Sequence, residues 1–231
     1  RRGGAWVTAL EGGAASRATP VVKDGVLYLP AGANIFAIDA GTGETIWRWQ
    51  PGSADAQMVP SWQGVGLGEN LVFVGLRSSQ VAALRQDTGE LVWHFQFTPH
   101  DIHDWDSTQI PILADTSFGG EQRKLMLFPN RNAFFYVLDR ETGEFLLGTP
   151  YAKQTWADGL DANGRPILLP GKEPSIEGTV VSPGITGGSN WWSPSYSPRT
   201  DLLYVMAYDA ETKYFIRPVD YEQGQSFRAG G

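Results

Sequence analysis

The chain has 231 residues, with 18 Lys and Arg against 25 Asp and Glu, a net charge of −7 and no cysteine. No cluster of Lys or Arg breaks the acidic balance, which argues against a nucleic acid or an anionic membrane surface as partner. No apolar run approaches the ~20 residues of a membrane span, and the absence of cysteine leaves the redox compartment open. With 28 Gly, 15 Pro and 9 Trp, the composition points to many short strands joined by tight turns, an all-β chain with little helix. The first residues, RRGGAW, carry neither Met nor a signal peptide, so the start reads as an internal boundary.

In chain order, 19–30 (TPVVKDGVLYLP) and 66–75 (GLGENLVFVG) each have an apolar–turn–apolar form with DG and GEN as hairpin signals. Further strands are expected at 34–38, 80–84, 123–128, 133–138 and 202–208. Repeats organise these elements. Residues 37–47 (AIDAGTGETIW) align without gaps to 83–93 (ALRQDTGELVW), and 137–147 (VLDRETGEFLL) fits the same frame with Leu147 in place of Trp. A worn fourth copy lies at 208–213 (YDAETK). The turns recur at Gly43, Gly89 and Gly143, about 50 residues apart, near the ~40–50 of a four-stranded propeller blade. Gly permits positive φ at the turn, and the Trp can dock between neighbouring blades. The expected fold is therefore all-β, a β-propeller, partial or small, of about four to five blades in a single domain 1–231. Blade-like repeats fall around 19–50, 66–97, 123–148 and 187–216. The turn-rich, repeat-free stretch 156–179 reads as an inter-blade loop across one face, of the kind that borders a central site.

The chemistry concentrates in Thr98–Gln109, TPHDIHDWDSTQ, which holds Asp101, Asp104, Asp106, His100, His103 and Trp105. In an extended segment Asp104 and Asp106 share a face. Two carboxylates aimed the same way repel unless a cation or a shared proton lies between them. They suit a hard-cation site with one carboxylate free to act as a base; a polar loop whose aspartates cap turns is the other reading. Hard cations prefer oxygen, so His100 and His103 are read as structural.

TPHD followed by HDWD and TQIPILAD resembles the segment carrying the catalytic aspartate in the quinoprotein alcohol dehydrogenases, the pyrroloquinoline quinone (PQQ) enzymes of the methanol and ethanol dehydrogenase family. FPNRNAFFYVLDRETGEFLLG (128–148) and GGSNWWSPSYSP (187–198) resemble that family's next two blocks, in the same order. The AxDxxTGxxxW repeat resembles the tryptophan-docking motif of quinoprotein propellers. The resemblance implies oxidation of an alcohol or sugar with PQQ and a calcium- or lanthanide-type ion. It gives Asp104 the position of the catalytic base and Asp106 that of an extra acidic metal ligand. Arg131 falls at the basic position facing the quinone oxygens, where it also acts in catalysis by stabilising charge. Asn190 and Trp191 fall at the cofactor pocket. Trp192 is expected between blades. A periplasmic or secreted location follows from the same resemblance.

Departures from the pattern are as specific. The resembling enzymes are more than twice as long and close a ring of eight blades, whereas here the second repeat runs straight into TPHD. The blades that carry the family's further metal ligands and the indole under the cofactor have no counterpart. The adjacent-cysteine pair is absent, His103 stands where the family has Trp, and Gln63 stands where it has an Arg for a PQQ carboxylate. PQQ binding is thus expected to be weak or lost. Two other readings stay open: a non-catalytic propeller that binds protein or ligand, and a metal-dependent enzyme acting without PQQ. An unclosed arc exposes strand edges and blade faces, which leaves two expectations open: a homodimer completing the propeller, and a compact monomer with 156–179 folded across the gap.

Overall fold

The computed structural model describes residues 4–12, 16–50, 60–77, 79–220 and 222–223, with the side chains of 60–63 outside that description. Among the described residues there is no helix. Three four-stranded antiparallel sheets follow one another, each a meander in sequence order. The first is β1 (Val21–Lys23), β2 (Val26–Ala31), β3 (Asn34–Asp39) and β4 (Thr45–Trp49). The second is β5 (Pro60–Gly68), β6 (Leu71–Leu76), β7 (Gln80–Arg85) and β8 (Leu91–Gln96). The third is β9 (Ile112–Phe118), β10 (Glu121–Pro129), β11 (Phe134–Asp139) and β12 (Phe145–Pro150). The first hairpin of each sheet closes on two residues of positive φ: Asp24-Gly25, Glu69-Asn70 and Gly119-Gly120. These are turns whose backbone twist matches that of paired strands; the first two fall where the DG and GEN signals predict, and Gly119-Gly120 adds a third.

Side-chain alternation sorts the core between sheets. Along β6, Leu71 and Phe73 face the third sheet, while Val72, Val74 and Leu76 face the first. Both faces of the middle sheet are covered, so β6 is apolar throughout rather than alternating. The first strands also line up: β1 lies against β5, and β5 against β9. This is the stacking of propeller blades.

The junctions repeat one device. In each unit the turn glycine donates its amide to the carbonyl four residues back: Gly43 to Asp39 (2.8 Å), Gly89 to Arg85 (3.0 Å), Gly143 to Asp139 (2.8 Å). Over each glycine lies an indole from the preceding unit. Trp6 covers Gly43, Trp47 covers Gly89 and Trp93 covers Gly143, and each donates its ring N–H to a turn carbonyl: Ala40 (3.0 Å), Gln86 (2.8 Å) and Arg140 (3.2 Å). Docking of the repeat tryptophans is thus as expected. Trp6 is a further docking residue that the repeat frame does not reach, because it precedes the first copy. Ion pairing reinforces the second junction: Glu69, in the first turn of blade two, bonds Lys124 and Arg140 (2.8 Å to the latter) of blade three. These partners hold its carboxyl below the usual range.

Beyond the third sheet the pattern changes. Leu147 occupies the Trp position but is exposed; Phe145, two residues earlier, packs on Gly164 instead. Gly164 belongs to a hairpin of β13 (Ala157–Leu160) and β14 (Pro166–Leu168), so the 156–179 stretch is only partly irregular. Trp156, at its head, is buried between Trp105 and Phe134. β15 (Thr179–Val181), β16 (Ser195–Ser197), β17 (Leu202–Tyr204) and β18 (Thr212–Tyr214) form two separate pairs, β16–β17 and β15–β18, in place of a fourth four-stranded sheet. The worn repeat 208–213 has no glycine to take up the positive-φ turn, and the indole that reaches it, Trp192, packs on the Tyr208 ring and not over a turn glycine.

A methyl group at Gly89 tests the junction. Its Cβ would lie 2.7 Å from the Trp47 ring, and φ there is +74°. Left-handed strain and overpacking together should make Gly89→Ala cost about 3 kcal/mol, read as a lower urea midpoint.

Candidate functional site

The second sheet delivers the chain directly into Thr98–Gln109. This stretch is a loop, with positive φ at His100 (51°) and Asp104 (65°). The expectation that Asp104 and Asp106 share the face of an extended strand is therefore corrected, since a residue at +65° turns the chain and breaks two-residue alternation. Their proximity has another origin. The partly buried Asp101 carboxylate accepts the amide N–H groups of His103 (2.9 Å) and Trp105 (2.6 Å), winding 101–105 into a tight turn with Asp104 at its exposed crest. Burial raises the Asp101 pKa, and the two amide bonds pull it back.

Aromatic packing fixes the turn from beneath. His103 is buried, stacked on Trp105 at 4.4 Å and met edge-on by Tyr214 at 4.9 Å. Its Nε2 lies 3.1 Å from the Lys172 carbonyl, which can only accept, so the ring proton is on Nε2. Burial lowers the His103 pKa and keeps the ring neutral. Trp105 donates its indole N–H to the Gly184 carbonyl (3.1 Å). His103 is thus a structural residue, while His100 is exposed.

Asp106 is partly buried beside Asp104. Burial first, and the Asp104 charge second, push its pKa up to about 6, with Arg131 pulling the other way. Arg131 projects from the β10–β11 turn and is buried; its Nη2 donates to the Ile185 carbonyl (2.5 Å), while its Nε is buried without a partner. Its charge also acts on Asp101 and Tyr214. Asp104 and Asp106, from one motif, and Arg131, from another, therefore form one electrostatic group.

The 187–190 loop sits on Arg131: Gly188 N–H donates to the Arg131 carbonyl (2.8 Å), and a Cβ on Gly187 would meet Arg131 Cβ at 2.8 Å. Asn190 spends its amide inside this loop, donating to the Thr186 carbonyl (2.7 Å) and accepting from Trp191 N–H (2.9 Å). Trp191 is 58% exposed and stacks on Trp192 at 5.1 Å, which in turn packs on Tyr208 at 5.1 Å. Trp192 lies in this surface stack and not between blades, because among the described residues no fourth four-stranded sheet receives it. Gln63 lies outside the described side chains. Among the described residues no group of three or more Asp, Glu or His side chains converges on a point that could hold an ion.

Four-stranded meanders joined by tryptophans over glycine turns, with an acidic loop facing a buried arginine, define a β-propeller of the tryptophan-docking class. A family profile described as PQQ, glucose/ethanol/alcohol dehydrogenase, beta-propeller domain, matches residues 73–153, and one described as outer membrane protein assembly factor BamB matches 4–100. The dehydrogenase subunit of the quinone alcohol dehydrogenase of Acetobacter aceti is 36% identical over 214 residues, 91% of this chain and 26% of that protein. The 1-butanol dehydrogenase (cytochrome c) of Thauera butanivorans is 44% identical over 132 residues, 57% of this chain and 19% of that one. The solved structure of quinohemoprotein alcohol dehydrogenase ADHIIG from Pseudomonas putida HK5 superposes with a TM-score of 0.81 at 27% identity, over 90% of this chain and 39% of that one. The chain is similar to the quinoprotein alcohol dehydrogenases over most of its length and spans about a quarter of the length of the curated relatives it matches.

The Asp104–Asp106 pair makes a pH prediction. The folded pKa of Asp106 lies above its ordinary value, so the folded state binds the proton more tightly. Its contribution to stability therefore falls as pH rises from about 4 to about 6. Carboxyl-carbon NMR should show an Asp106 midpoint near 6, and Asp104→Asn should lower it; an unmoved midpoint would rule out coupling between the two.

Proposed function

We propose that this chain is the acid-and-arginine side of a PQQ-dependent alcohol dehydrogenase site. The meeting of Asp104 and Asp106 with Arg131 carries the reading. The residues present suit the cofactor pair in part. Asp104 and Asp106 crowd negative charge that a calcium- or lanthanide-class cation would relieve, and Arg131 keeps a buried Nε–H unpaired. Two carboxylates fall short of the six to eight oxygens such a cation takes, so further ligands must come from elsewhere.

In this reading Asp104, exposed on its turn, takes the substrate hydroxyl proton, and Arg131 stabilises the negative charge that gathers on the acceptor oxygens. Bound PQQ supplies the two-electron acceptor for the hydride leaving the alcohol carbon. Asp106 adds the second negative oxygen donor. Trp191 offers an exposed indole against which a planar ring can pack, and Asn190 serves chiefly to shape that loop. The substrate class is a small alcohol or sugar, and by kinship the protein works in the periplasm or outside the cell.

Titration with Tb³⁺ should give emission sensitised through Trp105. Asp106→Asn should weaken binding by tenfold or more, and affinity should rise between about pH 5 and 7 as the Asp106 proton is displaced. Equal binding by wild type and variant would end the metal assignment. With cation present, calorimetry should show PQQ binding roughly a hundredfold weaker than a site with a charged carboxylate partner would give, because Gln63 is neutral; nanomolar affinity would contradict this.

A second reading, a non-catalytic binding module, draws on the assembly-factor profile, whose match at 4–100 ends as the acidic loop begins. Absence of both Tb³⁺ and PQQ binding would favour it.

A further inference from the structure

Between the acidic loop and the Arg131 turn runs a buried polar network that the chemistry above does not use. Asn130 and Asn132, which flank Arg131, are fully buried. Each splits its amide between two tasks. The Oδ1 atoms serve the turn itself: Asn130 accepts Asn132 N–H (3.1 Å), and Asn132 accepts Phe134 N–H (3.0 Å). The Nδ2 atoms reach out to the other segment. Asn130 Nδ2 donates to Ser107 Oγ (2.9 Å), at the far end of the acidic loop. Asn132 Nδ2 donates to Thr98 Oγ1 (3.1 Å), at its near end, and to Tyr136 Oη (3.0 Å). Thr98 Oγ1 also accepts from Ser79 Oγ (3.0 Å), and Ser107 N–H donates to the Leu76 carbonyl (3.1 Å).

We infer that Asn130 and Asn132 are positioning residues: paired clamps that pin both ends of the 98–107 loop to the turn bearing Arg131, and so fix Asp104 and Asp106 against the guanidinium. Local turn capping needs only the two Oδ1 acceptors. The Nδ2 donors are not needed for those caps, and each finds a hydroxyl partner on the acidic loop, that of Asn132 bonding Tyr136 Oη and the Phe97 carbonyl as well. Thr98, Ser107 and both asparagines are buried, so no water can replace a lost partner cheaply, and the network admits one arrangement. Gly75 leaves room for it: a Cβ there would lie 2.1 Å from the Ser107 carbonyl oxygen. Arg131, held between two clamped neighbours, cannot move relative to the carboxylates without breaking one clamp. The functional consequence rests on the cation-and-PQQ reading above.

The test cuts the clamps from the loop side, leaving the turn caps intact, with Thr98→Val and Ser107→Ala combined in the full chain. Hydrogen exchange should show the His103 and Trp105 amides opening at least tenfold faster while amides in β6 and β10 keep their protection, and Tb³⁺ affinity should fall about tenfold, the scale of one lost hydrogen bond. Gly89→Ala, which weakens the chain through a blade junction, should leave Tb³⁺ affinity within about twofold, separating position from stability. Unchanged exchange in the double variant overturns the clamp whatever the metal does. If wild type binds no Tb³⁺, the cation reading falls by itself and the exchange result alone decides the clamp. Faster exchange with undiminished Tb³⁺ affinity in the double variant overturns the positioning role.

Discussion

One contact recurs at every blade junction, an indole lying flat on a glycine turn. It does two things at once. The ring buries apolar area between consecutive sheets, and its N–H donates to a turn carbonyl beneath it. The glycine is required twice over, since the turn needs positive φ and the ring leaves no space for a Cβ. With the junction set, the angle between sheets is set, and the loops that leave them acquire definite places. Where the contact ends, after Trp93 on Gly143, regular four-stranded sheets end as well.

The acidic loop depends on that order. It emerges from the outer strand of one blade and runs over to the first strand of the next, so junction geometry decides what it faces. Its own fold is then local: Asp101 winds the turn, His103 and Trp105 stack beneath it, and Asp104 is left at the crest in a left-handed conformation. An aspartate tolerates that conformation better than most residues do. Asp101, which as a bare letter competes with Asp104 and Asp106 for the role of ligand, is committed to the backbone. The three carboxylates of one short stretch thus divide into one that builds the turn, one exposed at its crest and one partly buried beside it.

Charge gives the site its character. Burial and the Asp104 charge push the Asp106 pKa up to about 6, and Arg131 is buried nearby with its Nε–H unmatched. Perturbed groups gathered in this way are commoner at binding sites than in structural ion pairs, in which partners satisfy one another.

The repeat spacing, the Thr-Gly turns, the tryptophan that ends the first two frames and the DG and GEN hairpins were enough to determine an all-β propeller, because each is a local requirement on φ or on alternation that a residue type meets alone. The acidic stretch and the arginine were likewise visible as residues. Their relations were not. That Asp101 would cap a turn, that the Asp104–Asp106 pairing would come from a left-handed crest and not from strand alternation, that Trp192 would lie in a surface stack, and that Asn130 and Asn132 would grip the loop from the next blade all depend on contacts between distant segments. Sequence patterns report what a residue needs from its neighbours in the chain; which distant donor meets which buried acceptor is decided only when the sheets have packed and water has been excluded.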